Sequence, residues 1–512
     1  MRAGGARLVA AGILLSRLFG LVRQRVTAQY LGAGPVADAL AAAFRIPNLL
    51  QNLFGEGSLS ASFIPVYAKL LAEGRREDAG RVAGTILALL ALFVSVLVLL
   101  GILFAPQLVW LLAPGLGQET QALAAGLIRI ILPGLGLLVL SAWCLGVLNA
   151  HRRFFLSYAS PVLWNAAIIA ALVWRGGWQG AESAELAVAV AFGSVVGSAL
   201  QLAVQVPSVV RLDRALRVGA GAARDEVRTV LRNFGPAVAT RGVVQLSAYA
   251  DTLIASLLGA GALATLTYAQ AISMLPVSLF GMSIAASELP AMSGATGSRE
   301  EIAAALRARL ESGRARIAFF VIPSVVGLIA FGRVMASALY EGGAFTRDDA
   351  AWVWAALAGS GVGMLAGTMG RLFSSASFAL RDTATPMRFA ALRVGLAAIL
   401  GLTLAMTLPE RFGWAPQLGV GLLTAASGIA AWLEYRLLRV HIERQLGALP
   451  PMGRVPVTLW ACAALAAAVG LGVAAVLPTW HPVLEAVAIL GAYGGSYLAM
   501  TRVAGVDGAR RA

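Results

Sequence analysis

Arg17, Arg23 and Arg25 stand inside a stretch, residues 7–31, that is otherwise apolar and long enough to cross a bilayer. A guanidinium at mid-bilayer costs roughly 2.5–3.5 kcal/mol on insertion scales, so a chain keeps several only where they face a wet interior. A wet, cationic interior binds anions. Arginine grips phosphate and diphosphate through paired N–H bonds, which makes a phosphorylated head group the natural anion. Arg17 lies about ten residues into its helix, roughly 15 Å from the start, too deep to reach water by stretching. On a straight helix Arg17 and Arg23 are about 120° apart. Gly20 between them offers a place to bend. Arg25 is near the far end, where snorkelling to the interface accounts for it equally well.

The elements that carry these arginines follow from composition. The chain has 512 residues, 59% of them hydrophobic and 13% charged, with a mean hydropathy of +0.79. That is too apolar for a soluble protein of this length. The apolar runs are continuous and near twenty residues, so they read as helices rather than the alternating strands of a barrel. The net charge of +15 does not point to nucleic acid, because the arginines cluster in alternate short links between apolar runs. That alternation is the positive-inside pattern, and it places both termini in the cytoplasm. The basic start and short apolar stretch resemble a signal peptide, but Arg17 interrupts it, so it reads as an uncleaved first span.

Runs of sufficient length fall near 7–31, 36–66, 83–112, 122–150, 157–175, 185–209, 232–258, 263–291, 315–340, 349–378, 386–407, 416–438, 455–477 and 482–503, about fourteen spans in all. Trp110, Trp174, Trp178, Trp352, Trp354, Trp414 and Trp480 lie near the ends assigned outside, as an aromatic belt would. Ser298 and Glu301 have capping-box spacing and predict a short helix on the membrane surface. The two halves repeat. Leu31-Gly32-Ala33-Gly34 recurs at Leu258-Gly259-Ala260-Gly261, Leu53-Phe54-Gly55 at Leu279-Phe280-Gly281, Pro65 at Pro290 and Pro161 at Pro386, with offsets of 225 to 227 residues. A unit of six spans keeps its orientation when repeated, so two parallel six-helix lobes facing a central cavity are expected. The expected divisions are a first lobe at 1–210, a cytoplasmic linker at 211–231, a second lobe at 232–440, and two extra spans with a cytoplasmic tail at 441–512. Rocking of such lobes gives alternating access.

Other ionisable groups within spans are functional candidates by the same reasoning: Asp38, Arg45, Glu56, Arg241 and Asp251. Asp38 and Glu56 are acids that could pair with a cavity arginine and lower the cost of both. Arg129 and Arg333 read as structural, and Asn165, Gln201, Gln205 and Gln245 as interhelical hydrogen-bonding groups. Cys144 and Cys462 lie far apart in apolar runs, and His151, His441 and His481 are scattered at span ends. No disulfide, metal site, cofactor or covalent catalysis is expected from them.

Several segments closely resemble the MurJ (MviN) family of the MOP transporter superfamily. They are Ser16-Arg17-Leu18-Phe19-Gly20-Leu21-Val22-Arg23, Phe44-Arg45-Ile46-Pro47-Asn48-Leu49-Leu50, Leu53-Phe54-Gly55-Glu56-Gly57-Ser58-Leu59-Ser60 and Ala379-Leu380-Arg381-Asp382-Thr383. The resemblance implies a flippase for lipid II, the undecaprenyl-diphosphate-linked peptidoglycan precursor, in the bacterial cytoplasmic membrane. It implies that Arg17 and Arg23 engage the diphosphate, that Arg45 is a basic cavity position, and that Asp38 and Glu56 are cavity or gate acids. It also implies that Asp251 is the candidate for coupling to a monovalent cation, and that the last two spans form a groove for the lipid tail. Three positions depart from the family pattern. Gln24 stands where an acid is usual, Gln51 and Asn52 where basic residues are usual, and Gln270 and Ala271 follow Tyr268-Ala269 where an arginine is usual. Arg241 is the candidate to replace that arginine. The eleventh span has Ala398 and Gly401 where polar ion ligands would be expected, and an unexpected Arg393. The alternatives carried forward are a flippase for another polyprenyl-diphosphate-linked glycan, a cation-coupled exporter, and a non-transporting membrane scaffold.

Overall fold

The chain first reverses at Gly32, whose φ of 60° suits glycine. Helix α1 (Ala3–Leu31) enters this turn and α2 (Pro35–Phe54) leaves it. Pro35 opens α2, where its missing N–H has no helical partner to lose. Gly55 then separates α2 from α3 (Glu56–Ala72), and a Cβ there would collide with the carbonyl oxygen of Gln51. Glycine fits this break because the last-turn carbonyl of Gln51, which accepts the Gly55 N–H at 2.8 Å, occupies the space of a Cβ. The computed structural model describes residues 3–213, 215–216, 224–282, 284, 288, 292, 298–478 and 480–506. Pro290 and residues 217–223 of the expected linker lie outside the described residues.

The chain forms two compact units, Met1–Tyr249 and Ala250–Ala512. The first continues with α4 (Arg76–Leu103), α5 (Ala105–Leu112), α6 (Gln118–Ala150), α7 (Phe154–Ala159), α8 (Pro161–Leu172) and α9 (Ser183–Leu212). Helix α10 (Arg224–Ser256) contributes residues to both units. In the first unit α6 packs against α9, α2, α4 and α3, and fully buries Leu127, Ile128 and Leu132. A polar thread runs through this packing. Gln201 Nε2 donates to Ser141 Oγ (2.9 Å), Ser141 Oγ to Gln205 Oε1 (2.9 Å), and Gln205 Nε2 to Ser160 Oγ (2.6 Å). These are interhelical bonds, of the kind that hold helices where water is absent. Asn165 differs from the expectation: its amide donates to Pro161 O within α8 (3.0 Å).

The second unit contains α11 (Ala262–Pro276) with a π turn at Val277–Met282, α12 (Arg299–Tyr340), α13 (Arg347–Ala379), α14 (Ala384–Phe412), α15 (Gly419–Leu446), α16 (Val455–Val476) and α17 (Pro482–Val503). The capping box at Ser298 and Glu301 is formed, but it does not start a separate surface helix. It starts α12, which runs unbroken for 42 residues, about 63 Å at 1.5 Å per residue. Nothing between Leu310 and Ile317 breaks the helix, and Arg314 is buried there, donating to Pro450 O at 2.8 Å. Helices α16 and α17 pack on α12. Pro323 has no N–H to give the Phe319 carbonyl, and Tyr497 Oη donates to that oxygen instead at 2.7 Å. Tyr493 Oη donates to Pro323 O at 2.7 Å.

Among the described residues eleven helical segments are long and apolar enough to cross a membrane. The three expected spans outside that set are α1, α2 with α3, and α10. These carry Arg17, Arg23, Asp38, Arg45, Glu56, Arg241 and Asp251. The fold is all-α and multi-pass. The repeat is visible in the backbone: Gly259 takes φ 97° where Gly32 takes 60°, and Arg381 takes φ 63° where Arg152 takes 61°. Each of these arginine turns is fastened within its own unit. Beside Arg152, His151 Nε2 lies 3.1 Å from Tyr67 Oη, which donates to Asp213 at 2.9 Å. Beside Arg381, Asp382 Oδ2 lies 2.9 Å from His441 Nε2, and Oδ1 accepts the Thr385 N–H at 3.0 Å. Hydrogen bonds from Thr385, backbone first, and the nearby His441 hold the Asp382 carboxyl below the usual carboxylate range. Trp110, Trp174, Trp178, Trp354, Trp414 and Trp480 are exposed, as a belt requires.

Candidate functional site

In the first unit the site is built on α1, α2 and α8. Arg17 is exposed on α1, and Arg23, less exposed, stacks its guanidinium over the Trp164 ring of α8, 4.9 Å from the centroid. Cation–π contact engages the face of a guanidinium and so fixes the plane in which its N–H donors lie. Phe44 of α2 meets the same indole edge to face, centroids 6.1 Å apart. Trp164 is therefore a platform shared by α1 and α2. The sequence reading passed over it, although a tryptophan in mid-span, away from the belt, was a usable signal.

Asp38 is fully buried in the first turn of α2, where the helix N-terminus favours a carboxylate. Arg45, two turns on, donates from Nη2 to Ala248 O of α10 at 2.6 Å. This bond ties α2 to α10 inside the first unit. Arg25 is half-buried near the end of α1. The side chains of Glu56 and Arg241 lie outside the described residues; their backbones begin α3 and run within α10.

The second unit has its own polar site. A cavity of about 230 Å³ is lined by residues of α10, α11, α13, α14 and α15, among them Asp251, Gln270, Arg371, Arg393 and Ser427. Ser427 Oγ donates to Asp251 Oδ1 at 3.3 Å. Arg393 Nε lies 2.8 Å from Glu434 Oε2, both side chains mostly buried. Helices α13 and α15 approach closely enough that a Cβ on Gly363 would strike Gly428, so the cavity floor is backbone on backbone. The sequence reading named Asp251 and remarked on Arg393, but missed Arg371 and Glu434. The rule that flagged Arg17 applies equally to these two, since both sit inside expected spans. Gln270, which stands where the resemblance led one to expect arginine, lines the same cavity as Arg371 and Arg393.

The family model described as Lipid II flippase MurJ matches residues 27–491. The chain belongs to this family. It is 31% identical to the lipid II flippase MurJ of Burkholderia cenocepacia, over 86% of this chain and 84% of that one. It is 30% identical to the probable lipid II flippase MurJ of Rhizobium meliloti, over 91% and 85%. Among solved structures, a lipid II flippase MurJ in an inward closed conformation shares the fold with a TM-score of 0.77 at 22% identity, covering 97% of this chain and 99% of that one. An inward-facing multidrug resistance MATE transporter of the MOP superfamily shares it with a TM-score of 0.68 at 17% identity, covering 84% and 95%. The family match takes in α16 and the first part of α17, and with them Arg45 and Arg241; it begins at residue 27, after Arg17, Arg23 and Arg25.

Proposed function

We propose that this chain moves lipid II from the cytoplasmic to the outer leaflet of the bacterial cytoplasmic membrane by alternating access, with both termini cytoplasmic. The observation that carries the proposal is the family match, which runs through nearly the whole chain. The physical problem is the diphosphate. An unscreened ion transferred to hydrocarbon meets a desolvation cost of tens of kcal/mol. Guanidiniums of the protein replace the lost hydration, and Arg17 and Arg23 take that role, with Arg23 held by Trp164. Arg45 and Arg241 add to the positive field. Asp38 and Glu56 serve as gate or cavity acids that compete for the arginines when the substrate leaves. Asp251 couples the cycle to a monovalent cation. The two lobes of the cycle are 1–210 and 232–440, joined by the linker at 211–231, while the polyprenyl tail stays in lipid beside the helices of 441–512. No covalent step is needed, so the chain works as a transporter and not as a catalyst of bond chemistry.

The test is translocation of labelled lipid II in proteoliposomes, with Arg17→Ala and Arg23→Ala compared with the unaltered chain, and rescue of cells depleted of their own flippase. Both variants should lose translocation and rescue. Full activity of both would remove the assigned role of the arginines, and absence of lipid II movement by the unaltered chain would remove the proposal.

A further inference from the structure

We infer that the cavity of the second unit is a binding site for a phosphoryl oxyanion, with Arg371 as its principal donor and Arg393 beside it. Arg371 projects from the interior of α13, a helix long and apolar enough to cross a membrane. Its neighbours Gly370, Leu372 and Phe373 are buried, yet Arg371 itself is exposed, so its side chain stands in the cavity. Among the described residues nothing hydrogen-bonds or ion-pairs with its guanidinium. The nearest opposite charge, Glu434, is engaged by Arg393 at 2.8 Å. The charged residues that line the cavity are Asp251, Arg371 and Arg393. Asp251 accepts from Ser427. The amide of Gln270, on the same cavity, likewise has no hydrogen-bond partner among the described residues.

Five guanidinium N–H donors in a small chamber within the membrane-spanning region call for an acceptor with several oxygens and negative charge. A phosphoryl group offers both, and paired N–H bonds from arginine fit its oxygens. The anion comes either from the diphosphate of the transported lipid or from free phosphate. The first source rests on the flippase reading, and the second does not.

The experiment uses the full chain in nanodiscs carrying Arg17→Gln and Arg23→Gln, so that remaining binding reports the second unit. Inorganic diphosphate is titrated calorimetrically into this protein and into the same protein with Arg371→Gln or Arg371→Lys. Arg371→Gln should weaken binding by about tenfold or more, the loss expected for a charge-assisted bond. Arg371→Lys, which keeps the charge but not the fork, should weaken it less and guards against a folding defect in the glutamine variant. Displacement of bound diphosphate by lipid II identifies the lipid head group as the source, and failure to displace it identifies the free anion; either supports the site. Equal affinity in all three proteins, or no diphosphate binding in any, overturns it. Lipid II translocation by the unaltered chain is measured separately, so loss of the flippase reading and loss of this site are told apart.

Discussion

Replacing Tyr497 by phenylalanine removes one oxygen atom and leaves one backbone carbonyl of α12 without a donor. Pro323 is the reason the carbonyl needs outside help, since Phe319 O would otherwise accept the N–H four residues on. Tyr497 is 4% exposed, and its ring packs 5.8 Å from that of Phe319, so the phenylalanine ring keeps the packing. Only the hydrogen bond is lost. A buried acceptor left unmet costs about 1–3 kcal/mol. A value near 2 kcal/mol changes the folded-to-unfolded ratio by roughly thirtyfold. Reversible unfolding in mixed micelles, followed by far-ultraviolet circular dichroism as SDS is added, reads this cost directly. The decisive comparison adds Pro323→Ala, which returns an N–H to the position facing Phe319 O. In that background Tyr497→Phe should cost less than half as much. Equal costs in both backgrounds would refute the account of why the last helix is held where it is.

Other expected outcomes follow from single contacts. Gly55→Ala sets a Cβ against the Gln51 carbonyl and should destabilise the first unit by about 1–3 kcal/mol, seen as loss of monodisperse protein in size-exclusion chromatography; an unaltered elution and melting profile would contradict it. Trp164→Leu removes the ring beneath Arg23 and should lower lipid II translocation by a smaller factor than Arg23→Ala, since a cation–π contact contributes about 0.5–2 kcal/mol. Burial, with Arg76 adding to it and Asp213 opposing, holds the His151 imidazole below its usual value. The folded state thus favours the neutral ring, and the stability this contributes is present above about pH 6.5 and declines as pH falls below it. Unfolding midpoints at about pH 7.5 and 5.5 should differ less in His151→Gln than in the unaltered chain, and identical differences would count against this origin.

Much of the fold was legible because membrane spans obey one dominant constraint, the need to bury backbone polar groups within helices of apolar residues. The first arginines were visible for the same reason, since each violates that constraint at a definite position; the break at Gly55 was not, and 36–66 read as one span. Tertiary placement was not legible. Nothing in the spacing says that Arg371 shares a chamber with Arg393, or that Glu434 pairs with Arg393, because the three come from three different helices. Arg393 looked out of place only because its partner, Glu434, lies on the next helix. The extent of α12 was misjudged because polar residues in the stretch before its apolar part suggested a boundary. Helix continuity is decided by the absence of a breaker, and Arg314 is accommodated by a carbonyl from beyond α15. Trp164 was overlooked because the tryptophans at the span ends had a ready explanation and it did not share it.

The fastened turns at Arg152 and Arg381 bear on the order in which the chain is assembled. His151 is synthesised well before Asp213, and Asp382 well before His441. Each arginine link therefore leaves the ribosome with part of its fastening in reach, Tyr67 beside His151 and Thr385 beside Asp382, and part still to come, Asp213 for the first turn and His441 for the second. Insertion into the bilayer is in this way punctuated twice, once per bundle.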